Sequence, residues 1–369
     1  MSCPPWISSA WIRAPERHSD SCATFTGRMN QPLSQNGAHL ASLCRLLELG
    51  DPGGEVLPVA GGFHHRMWQV HTDRGRFAVK QLGEDVLLDD PRVHTRFNAC
   101  EKTAASFNAL GIPALVALER DGHYLQVLDA TGYLVYPWTS GRACARNAID
   151  EQHIDTVADI LARMHAADIQ VPELGRELPN LVTAEWVTEL VHMGIARNVH
   201  GADLLQARLD DILSVVASLH SAIPRLLETR VISHGDLDHK NVLWTGDHAA
   251  LLIDWESAMH INPTYETLLE ALDWSGITAN FETRPFERFL SAYVAAGGAL
   301  DEHSIPPAFT AILGAWVNWM MYNVGRAVGI EDTRQRAIGS EQVDLALGTL
   351  LRLERQIPRL RDIALRHAG

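Results

Sequence analysis

Cysteine is scarce in this chain of 369 residues, with five thiols and no C-x-x-C pair among them. This scarcity excludes a disulfide framework and a cysteine-based zinc site, and it is typical of the reducing cytoplasm, where we expect the protein to reside. No segment approaches the roughly 18 consecutive apolar residues of a membrane span, so we expect no membrane partner. The sequence also lacks internal repeats and low-complexity blocks, which excludes a fibrous or collagen-like protein.

Positive charge is also in short supply. Lysine and arginine number 31 against 45 aspartates and glutamates, which leaves a formal net charge of -14. A surface of that sign repels phosphate backbones, and we therefore expect no nucleic-acid partner. The same surface can attract a cationic small substrate, although solubility alone also accounts for it. With 46% hydrophobic residues the composition is that of a globular protein, and the length suggests about two domains.

The first residues of the chain differ from the rest. Residues 1–36 contain several prolines, many serines and only short apolar pieces, and no apolar stretch follows a basic start. This composition predicts a disordered tail and is unlike a secretory signal. Because Met29 lies near the end of this tail, we hypothesise that translation begins there.

Two kinds of hydrophobic pattern follow one another along the remaining chain. The first is period-two alternation between turn signals, which predicts antiparallel strands. We place these strands at about 55–60, 66–72, 76–82, 123–128 and 132–136, with a helix at about 93–110. The second pattern, from about residue 149, has helical spacing throughout, except that two β-rich runs within 231–256 suggest one small hairpin. The order of these patterns predicts an α+β protein.

The exception to the helical pattern contains the residues suited to chemistry. Residues 234–241 read His-Gly-Asp-Leu-Asp-His-Lys-Asn, and Asp254 ends an apolar run thirteen residues after Asn241. The carboxylate of Asp254 and the amide oxygen of Asn241 are ligands for a divalent cation, and oxygen ligands without cysteine favour Mg²⁺. Asp236 lies five residues before Asn241 and can accept a proton from a hydroxyl group. The sequence therefore predicts a magnesium site beside a general base.

A single lysine interrupts the apolar third strand. Lys80 directly follows Phe77, Ala78 and Val79. Burying an unpaired ammonium group is costly, so this lysine requires an acidic partner. Glu101, on the helix that follows the strand, is the partner that we predict.

Together these residues resemble the aminoglycoside phosphotransferase and choline kinase family, whose members are small-molecule kinases with a protein-kinase-like fold. The H-G-D-x-x-x-x-N loop of the family matches residues 234–241, and its I-D-W/F strand matches residues 253–255. Its lysine strand and helix glutamate match Lys80 and Glu101. The resemblance extends over roughly residues 50–330, which is most of the chain.

The resemblance implies a fold of two lobes. An amino-terminal lobe over residues 37–138 would contain the five-stranded antiparallel sheet and bind the nucleotide. A mainly helical carboxyl-terminal lobe over residues 139–369 would contain the catalytic loop at residues 234–241 and the acceptor site.

The resemblance also implies how a nucleotide is bound. Lys80, oriented by Glu101, would hold the α- and β-phosphates of ATP, or of GTP in its place. The glycine-pair loop of the family matches Gly61 and Gly62. In this fold the adenine meets backbone groups of the hinge between the lobes. Proline at position 137 has no N–H, so the usable hinge groups are the carbonyl of Tyr136 and the N–H of Trp138.

The remaining matched residues receive roles around the transferred phosphate. Asn241 and Asp254 would hold Mg²⁺, and Asp236 would take the proton of the acceptor hydroxyl. Most of the catalysis would then consist of positioning and electrostatic stabilisation. For His234 we favour a structural role, because buried histidines commonly have their hydrogen bonds satisfied locally.

Two positions near the motifs, Asp238 and Glu266, differ from the family pattern. Asp238 stands where members often carry histidine, and it adds negative charge near the path of the phosphoryl group. Lys240 can compensate that charge, or Asp238 can be a third metal ligand or a substrate contact. Glu266 takes the place of an aspartate that braces the loop, with one methylene more.

Two groups of side chains in the helical lobe have two interpretations each. Tryptophans there can line an acceptor pocket, although helical spacing favours the core: Trp274, Trp316, Trp319. Acidic residues there can receive a cationic acceptor, although a solvated helix face is commoner: Glu266, Glu270, Asp273.

Our main hypothesis is an ATP-dependent phosphotransferase acting on a hydroxyl of a small molecule. The acceptor is an antibiotic or a metabolite such as an amino alcohol, sugar or amino acid, and the oligomeric state stays open. A second hypothesis is a non-catalytic, nucleotide-binding regulatory protein. A third is a zinc metallohydrolase, because the residues His234, Asp236, Asp238 and His239 superficially resemble an H-x-H-x-D-H zinc motif.

Overall fold

The structure of the chain is a computed structural model. It describes residues 33–54, 56–59, 65–84, 86–176, 181–246, 249–329 and 333–368. Most of the predicted tail, including Met29, lies outside these ranges, and the first helix, α1 (Leu33–Leu46), begins inside the predicted tail. Across the described ranges, no helix combines the length and the apolar character that crossing a bilayer requires.

The amino-terminal half contains one antiparallel sheet. Its strands, in chain order, are β1 (Leu57–Val59), β2 (Arg66–Thr72), β3 (Gly75–Gln81), β4 (Gln126–Leu128) and β5 (Thr131–Pro137). They lie side by side in the order β1, β2, β3, β5, β4, which confirms the predicted five-stranded sheet. Alternation along β2 buries Trp68 and Val70, which pack with Leu40 and Leu43 of α1.

The inserted helix, α2 (Pro91–Ala109), connects the sheet to the rest of the molecule. Asp90 caps its start by accepting the N–H of Arg92, and proline at the first position has no N–H to satisfy. The ring of Phe107 lies 5.5 Å from the ring of Trp255, centroid to centroid. The helix therefore packs against the segment that carries Asp254.

Helices dominate the carboxyl-terminal half, as the spacing predicts. They are α3 (Glu151–Ala166), α4 (Ala184–Ala196), α5 (Ala202–Ala207), α6 (Leu209–Glu228), α7 (Pro263–Trp274), α8 (Thr283–Ala295), α9 (Ile305–Ala327) and α10 (Thr333–His367). Helix α9 lies at the centre, because it packs against α4, α6, α7 and α10. Its buried side chains, among them Ile312, Val317 and Met320, belong to the large apolar core of this half.

The strands among these helices correct one prediction. They are β6 (Arg142–Ala143), β7 (Val231–Ser233), β8 (Val242–Thr245), β9 (Ala249–Leu252) and β10 (Met259–Ile261). The two β-rich runs do not pair with each other: β9 pairs with β8, and β7 pairs with β10. Neighbouring strands with a short connection pair most readily, so the hairpin forms between β8 and β9. The polar loop at 234–241 consequently runs from one small sheet to the other.

Candidate active site

The loop over residues 234–241, called the Asp236 loop below, needs glycine at its second position. Gly235 has a φ of +74°, and a Cβ atom placed on it would lie 2.4 Å from the carbonyl oxygen of Ser257. A side chain here would meet both backbone strain and a backbone clash. The loop can therefore approach the segment after Asp254 only because residue 235 is glycine.

His234 braces this loop, as predicted. The buried ring lies with Nε2 2.9 Å from the carbonyl oxygen of Ile253, and its Nδ1 accepts the N–H of Asp236 at 3.3 Å. Its centroid is 4.6 Å from that of Trp255. Both ring nitrogens are thus used by the backbone, which removes His234 from the ligand set that the zinc hypothesis requires.

Helix α7 holds the Asp236 loop from below with three side chains spaced four residues apart. Glu266 accepts the N–H of Gly235 at 2.8 Å, and Glu270 accepts the N–H of Leu237 at 3.1 Å. The indole N–H of Trp274 donates to the carbonyl of Leu237 at 2.9 Å. These spacings place the three side chains on one face of the helix.

The solvated helix face that we favoured for the acidic residues of α7 is therefore wrong. Glu266 and Glu270 are fully buried and Asp273 is 9% exposed. The physical reason is that the backbone N–H groups of the Asp236 loop need acceptors inside the protein. The core interpretation of the tryptophans is confirmed, since Trp316 and Trp319 are also buried.

Glu266 is itself held by a second hydrogen-bonded pair. His165 of α3 lies with Nε2 2.7 Å from the Glu266 carboxylate, and its Nδ1 is 2.8 Å from the hydroxyl of Tyr293. Burial acts to raise the pKa of Glu266, but the His165 contact and the N–H of Gly235 outweigh it and lower the pKa. A carboxylate therefore persists in the core, and the predicted bracing role of Glu266 agrees with its contacts.

The structure brings Asp236 and Asn241 together. The side-chain amide of Asn241 donates to the backbone carbonyl and to the carboxylate of Asp236, both at 2.8 Å. The backbone carbonyl of Asn241 accepts the N–H of Ile253 at 3.0 Å, which places Asn241 beside the residue that precedes Asp254. This pairing continues the register of β8 and β9, where Val242 faces Leu252.

These residues offer the donor set that Mg²⁺ prefers. The NH₂ group of Asn241 is used by Asp236, which leaves its amide oxygen as an acceptor. Asp254 adopts a left-handed backbone with a φ of +63°, and its side chain is 44% exposed. Hard oxygens from an amide and an accessible carboxylate fit a magnesium ion.

Lys80 has partners other than the one predicted. Its buried Nζ lies 2.8 Å from Oδ1 of Asp254 and 2.5 Å from Oε1 of Glu256. Burial acts to lower the pKa of Lys80, but the two carboxylates outweigh it and raise the pKa, so the ammonium stays charged. The prediction that Glu101 pairs with Lys80 is wrong, because the ammonium group of Lys80 pairs with the carboxylates of Asp254 and Glu256.

Glu101 instead points to the sheet and the loop before β4. Its Oε1 accepts the hydroxyl of Tyr136 at 2.6 Å, and its Oε2 accepts the N–H of Ala117 at 2.8 Å. Burial raises the pKa of Glu101 to about 7, although both hydrogen bonds and the charge of Lys80 act in the opposite direction. The carboxyl group is thus a buried acid that titrates near neutral pH.

The predicted hinge contacts also need a correction. The N–H of Trp138 donates to the carbonyl of Arg76 at 3.0 Å, and Tyr136 faces Ala78 in the ladder of β3 and β5. Both residues therefore turn their hydrogen-bonding groups toward β3, since these groups alternate between the two edges of a strand. The glycine pair, Gly61 and Gly62, lies outside the described residues.

The charge of Asp238 is compensated by Lys240. Oδ1 of Asp238 accepts the N–H of Lys240 at 2.8 Å, and Oδ2 lies 3.2 Å from the ammonium of Lys240. Burial acts to lower the pKa of Lys240, but the charges of Asp238, Asp236 and Asp273 raise it. His239 and Asp273 contact one another at 3.3 Å, with Arg146 3.7 Å from Asp273.

Two contributors were not found from the sequence. Glu256, two residues after Asp254, pairs with Lys80, and His65, the residue directly before β2, lies 3.1 Å from the Glu256 carboxylate. The only sequence signal for Glu256 is an acidic residue two positions after the predicted metal ligand Asp254, and the geometry of Glu256 depends on the packing of α2. The four-residue spacing of Glu266, Glu270 and Trp274 can be read from the sequence. Their contacts with the Asp236 loop cannot, because the sequence does not show where that loop lies.

Comparison with known proteins identifies the family. A model of the phosphotransferase enzyme family matches residues 55–307, more than half of the chain. The chain belongs to this family. The matched range includes Lys80, Asp236, Asn241, Asp254 and Glu256.

Curated relatives of this phosphotransferase-family chain include homoserine kinases from strains of Pseudomonas aeruginosa. Those of strains LESB58 and PAO1 are each 29% identical to it over 187 residues, which is 50% of this chain. The match extends over 55% of their length, so the chain spans about half of these relatives.

Solved structures show the same fold. The choline kinase LicA from Streptococcus pneumoniae has a TM-score of 0.56 at 18% identity, covering 86% of this chain and 99% of that chain. A choline/ethanolamine kinase family protein from Mesorhizobium loti has a TM-score of 0.58 at 14% identity, covering 89% and 99%. A spectinomycin phosphotransferase solved with ADP and spectinomycin has a TM-score of 0.56 at 12% identity, covering 89% and 98%. This phosphotransferase-family chain thus has the α+β fold of small-molecule kinases.

Proposed function

We propose that the chain is an ATP-dependent phosphotransferase that transfers the γ-phosphate to a hydroxyl group of a small molecule. The observation that carries this proposal is the union of two contacts from distant segments. In the first contact, the side-chain amide of Asn241 donates to the Asp236 carboxylate. In the second, the ammonium group of Lys80 donates to the Asp254 carboxylate. The two contacts lie close together because the backbone of Asn241 pairs with Ile253, the residue before Asp254. We infer that these residues form one site with a base, an amide oxygen, an accessible carboxylate and an ammonium group, which is the set that phosphoryl transfer requires.

Each residue has one task in the proposed reaction. Lys80 binds nucleotide phosphates, and Asp254 with the amide oxygen of Asn241 would hold Mg²⁺, which neutralises charge on the phosphates. Asp236 orients the acceptor hydroxyl and takes its proton. The hydroxyl oxygen forms a bond to the γ-phosphorus as the bond to the β–γ bridging oxygen breaks, which releases nucleoside diphosphate. Catalysis then rests on positioning and charge stabilisation.

For the adenine we propose hinge groups displaced by one residue from the sequence prediction. The carbonyl of Val135 accepts the N–H of Leu118 at 2.7 Å on the edge of β5 that faces away from β3. Alternation turns the carbonyl of Pro137 toward that same edge. The carbonyl of Pro137 and the N–H of Thr139 are therefore our candidates, with Gly61 and Gly62 proposed to cover the phosphates.

The class of acceptor follows from the relatives only in outline. The homoserine kinases and choline kinase named above are, by their names, kinases of small alcohols. The net charge of -14 supports a small acceptor over a nucleic acid. We propose that the protein works in the cytoplasm, which agrees with Cys44, Cys100 and Cys144 being free thiols among the described residues.

The test is nucleoside diphosphate release with ATP or GTP and Mg²⁺ over a panel of acceptors. The panel starts with homoserine, choline and ethanolamine and continues with spectinomycin, other aminoglycosides and simple sugars. Asp236→Asn is the inactive variant, and Asp211→Asn is its control, since Asp211 is an exposed aspartate at the start of α6.

Three outcomes are informative. Acceptor-dependent release that Asp236→Asn loses and Asp211→Asn keeps supports the proposal and names the acceptor. Nucleotide binding without release for any acceptor favours the regulatory hypothesis. A protein that binds neither ATP nor GTP with Mg²⁺ overturns the proposal.

A further inference from the structure

One carboxylate joins the strands of the sheet to the segment of Asp254. Glu256 lies in a 3-10 turn (Trp255–Ser257), directly after Asp254. Its Oε1 lies 2.5 Å from Nζ of Lys80, and its Oε2 lies 3.1 Å from Nε2 of His65. The two oxygens therefore contact β3 and the residue directly before β2 at the same time.

His65 is oriented for this contact by its other nitrogen. Nδ1 of His65 accepts the backbone N–H of Gly83 at 3.1 Å. A neutral ring with Nδ1 as acceptor carries its proton on Nε2, so His65 donates to Glu256. The ring thus ties the entry of β2 to the residues after β3 and to Glu256 in a single chain of contacts.

Helix α2 reaches Lys80 through the backbone of Glu256. The carbonyl oxygen of Glu256 accepts the guanidinium of Arg96 at 3.0 Å, and the thiol of Cys100 lies 3.5 Å from the same oxygen. Glu101, from the same helix, has both carboxylate oxygens on other donors, Tyr136 and Ala117. Helix α2 therefore fixes the position of Glu256, whereas its own Glu101 forms hydrogen bonds away from Lys80.

We propose that Glu256, anchored by α2 and paired with His65, is the positioning residue of Lys80 in place of Glu101. This inference rests on the proposed function, because it assigns a partner to the phosphate-binding lysine. Asp254 and Glu256 share Lys80 in this structure, and Glu256 remains on Lys80 when Asp254 serves as a metal ligand. Glu101 stabilises the sheet through Tyr136 and acts on the nucleotide only indirectly.

The test compares carboxamide variants at three glutamates by ADP affinity in EDTA, measured by calorimetry, where no metal contributes. Glu256→Gln is expected to weaken ADP binding by about tenfold or more, because the ammonium group of Lys80 is no longer held in position to contact the phosphates. Glu101→Gln is expected to change it by less than about threefold, and Glu256→Asp to restore part of the loss. Glu173→Gln is the control, since Glu173 is exposed and pairs with Lys102 on the surface of α2.

A second readout separates positioning from other roles. With Mg²⁺ and an identified acceptor, Glu256→Gln is expected to raise KM for ATP by a larger factor than it lowers kcat. Circular dichroism verifies that each variant is folded, and a Glu256→Gln chain that does not fold moves the comparison to Glu256→Asp against Glu101→Gln.

Several results overturn the inference without touching the proposed function. One is tighter ADP binding by Glu256→Gln, which would make Glu256 a competitor of the phosphates. Others are a larger loss in Glu101→Gln than in Glu256→Gln, or a Glu256→Gln protein that loses only its response to Mg²⁺, as a metal ligand would. Failure of the unmodified protein to bind any nucleotide would instead remove the proposed function itself.

Discussion

Glu266 accepts the backbone N–H of Gly235 at 2.8 Å from a position that has no exposed surface. The contact joins the buried helix α7 to the residue directly before Asp236. Its second oxygen is held by His165 at 2.7 Å, so the carboxylate has partners on both sides. The loop that carries the candidate base Asp236 is therefore held in place by the buried carboxylate of Glu266.

Glu266→Gln is expected to lower the free energy of unfolding by about 2–4 kcal/mol, because a charge-assisted contact in the core loses its charge. Urea denaturation measures the change. Glu287→Gln is the control, since its carboxylate is exposed and pairs with Arg366, and its cost is expected below about 1 kcal/mol. Equal costs for the two variants would show that the buried contact contributes no more than a surface pair.

The same contact predicts an acid sensitivity. The folded protein has a lowered Glu266 pKa, so its contribution to stability is present above the ordinary glutamate pKa and is lost as pH falls through the folded value. Denaturation midpoints of the unmodified protein and Glu266→Gln should therefore converge as the pH is lowered. Parallel pH profiles would contradict the assignment.

Gly235→Ala is expected to abolish activity and to destabilise the protein, because its Cβ would lie 2.4 Å from the carbonyl oxygen of Ser257. Gly297→Ala separates clash from backbone strain, since Gly297 has a φ of +93° and its Cβ would meet no atom within 4 Å. Gly297→Ala is expected to lower the free energy of unfolding by only about 1–2 kcal/mol, which is the strain of a left-handed backbone at a non-glycine residue. Thermal unfolding and nucleotide binding are measured for both variants. Equal losses of stability and binding in Gly235→Ala and Gly297→Ala would contradict a clash at residue 235.

Glu101→Gln is expected to remove a pH dependence of stability. The folded pKa of Glu101 is about 7, above its ordinary value, so its favourable contribution is full below the unfolded pKa and is lost as pH rises through the folded value. The variant should therefore gain stability relative to the unmodified protein between about pH 5 and about pH 7.5, by about 2–3 kcal/mol. Urea denaturation across this range measures the difference, and a difference that stays constant contradicts the prediction.

Asp254→Asn is expected to remove most of the gain in nucleotide affinity that Mg²⁺ confers, by about tenfold or more, because a neutral amide is a poorer ligand for the cation. Asparagine is chosen because it tolerates the left-handed backbone at φ +63°. Lys80 keeps its contact with Glu256, so ADP affinity in EDTA should change far less. Calorimetry with and without Mg²⁺ makes the comparison, with Asp211→Asn as control. An unchanged response to Mg²⁺ would remove Asp254 from the metal site.

Local patterns were sufficient to predict the framework. The pattern predicted neighbouring strands at about 66–72 and 76–82, and the structure has Arg66–Thr72 and Gly75–Gln81, the second displaced by one residue. The pairing of β8 with β9 was not predicted, because the two β-rich runs recognised in the sequence became β7 and β9, which do not pair with each other. The roles of Asp236, Asn241 and Asp254 stay predictions. The side chains of Asp236 and Asn241 contact each other, and the backbone of Asn241 pairs with the residue that precedes Asp254.

The partners of buried charges were not predictable from local patterns. Lys80 follows an apolar run and needs a carboxylate, but Glu101 and Glu256 lie at very different separations along the chain. Only the packing of α2 on the 3-10 turn decides between them, by bringing the carbonyl of Glu256 to Arg96. For the same reason the acidic face of α7 looked solvated until the loop above it was placed.

The long span between Lys80 and Asp254, 174 positions apart, has a consequence for biosynthesis. At translation rates of about 5–20 residues per second, Lys80 leaves the ribosome on the order of ten to thirty seconds before its counter-ions do. During that interval the nascent sheet carries an ammonium group with neither carboxylate within reach, so β3 cannot be sealed from water. The contacts of Lys80 therefore form only after the chain has been synthesised through Glu256.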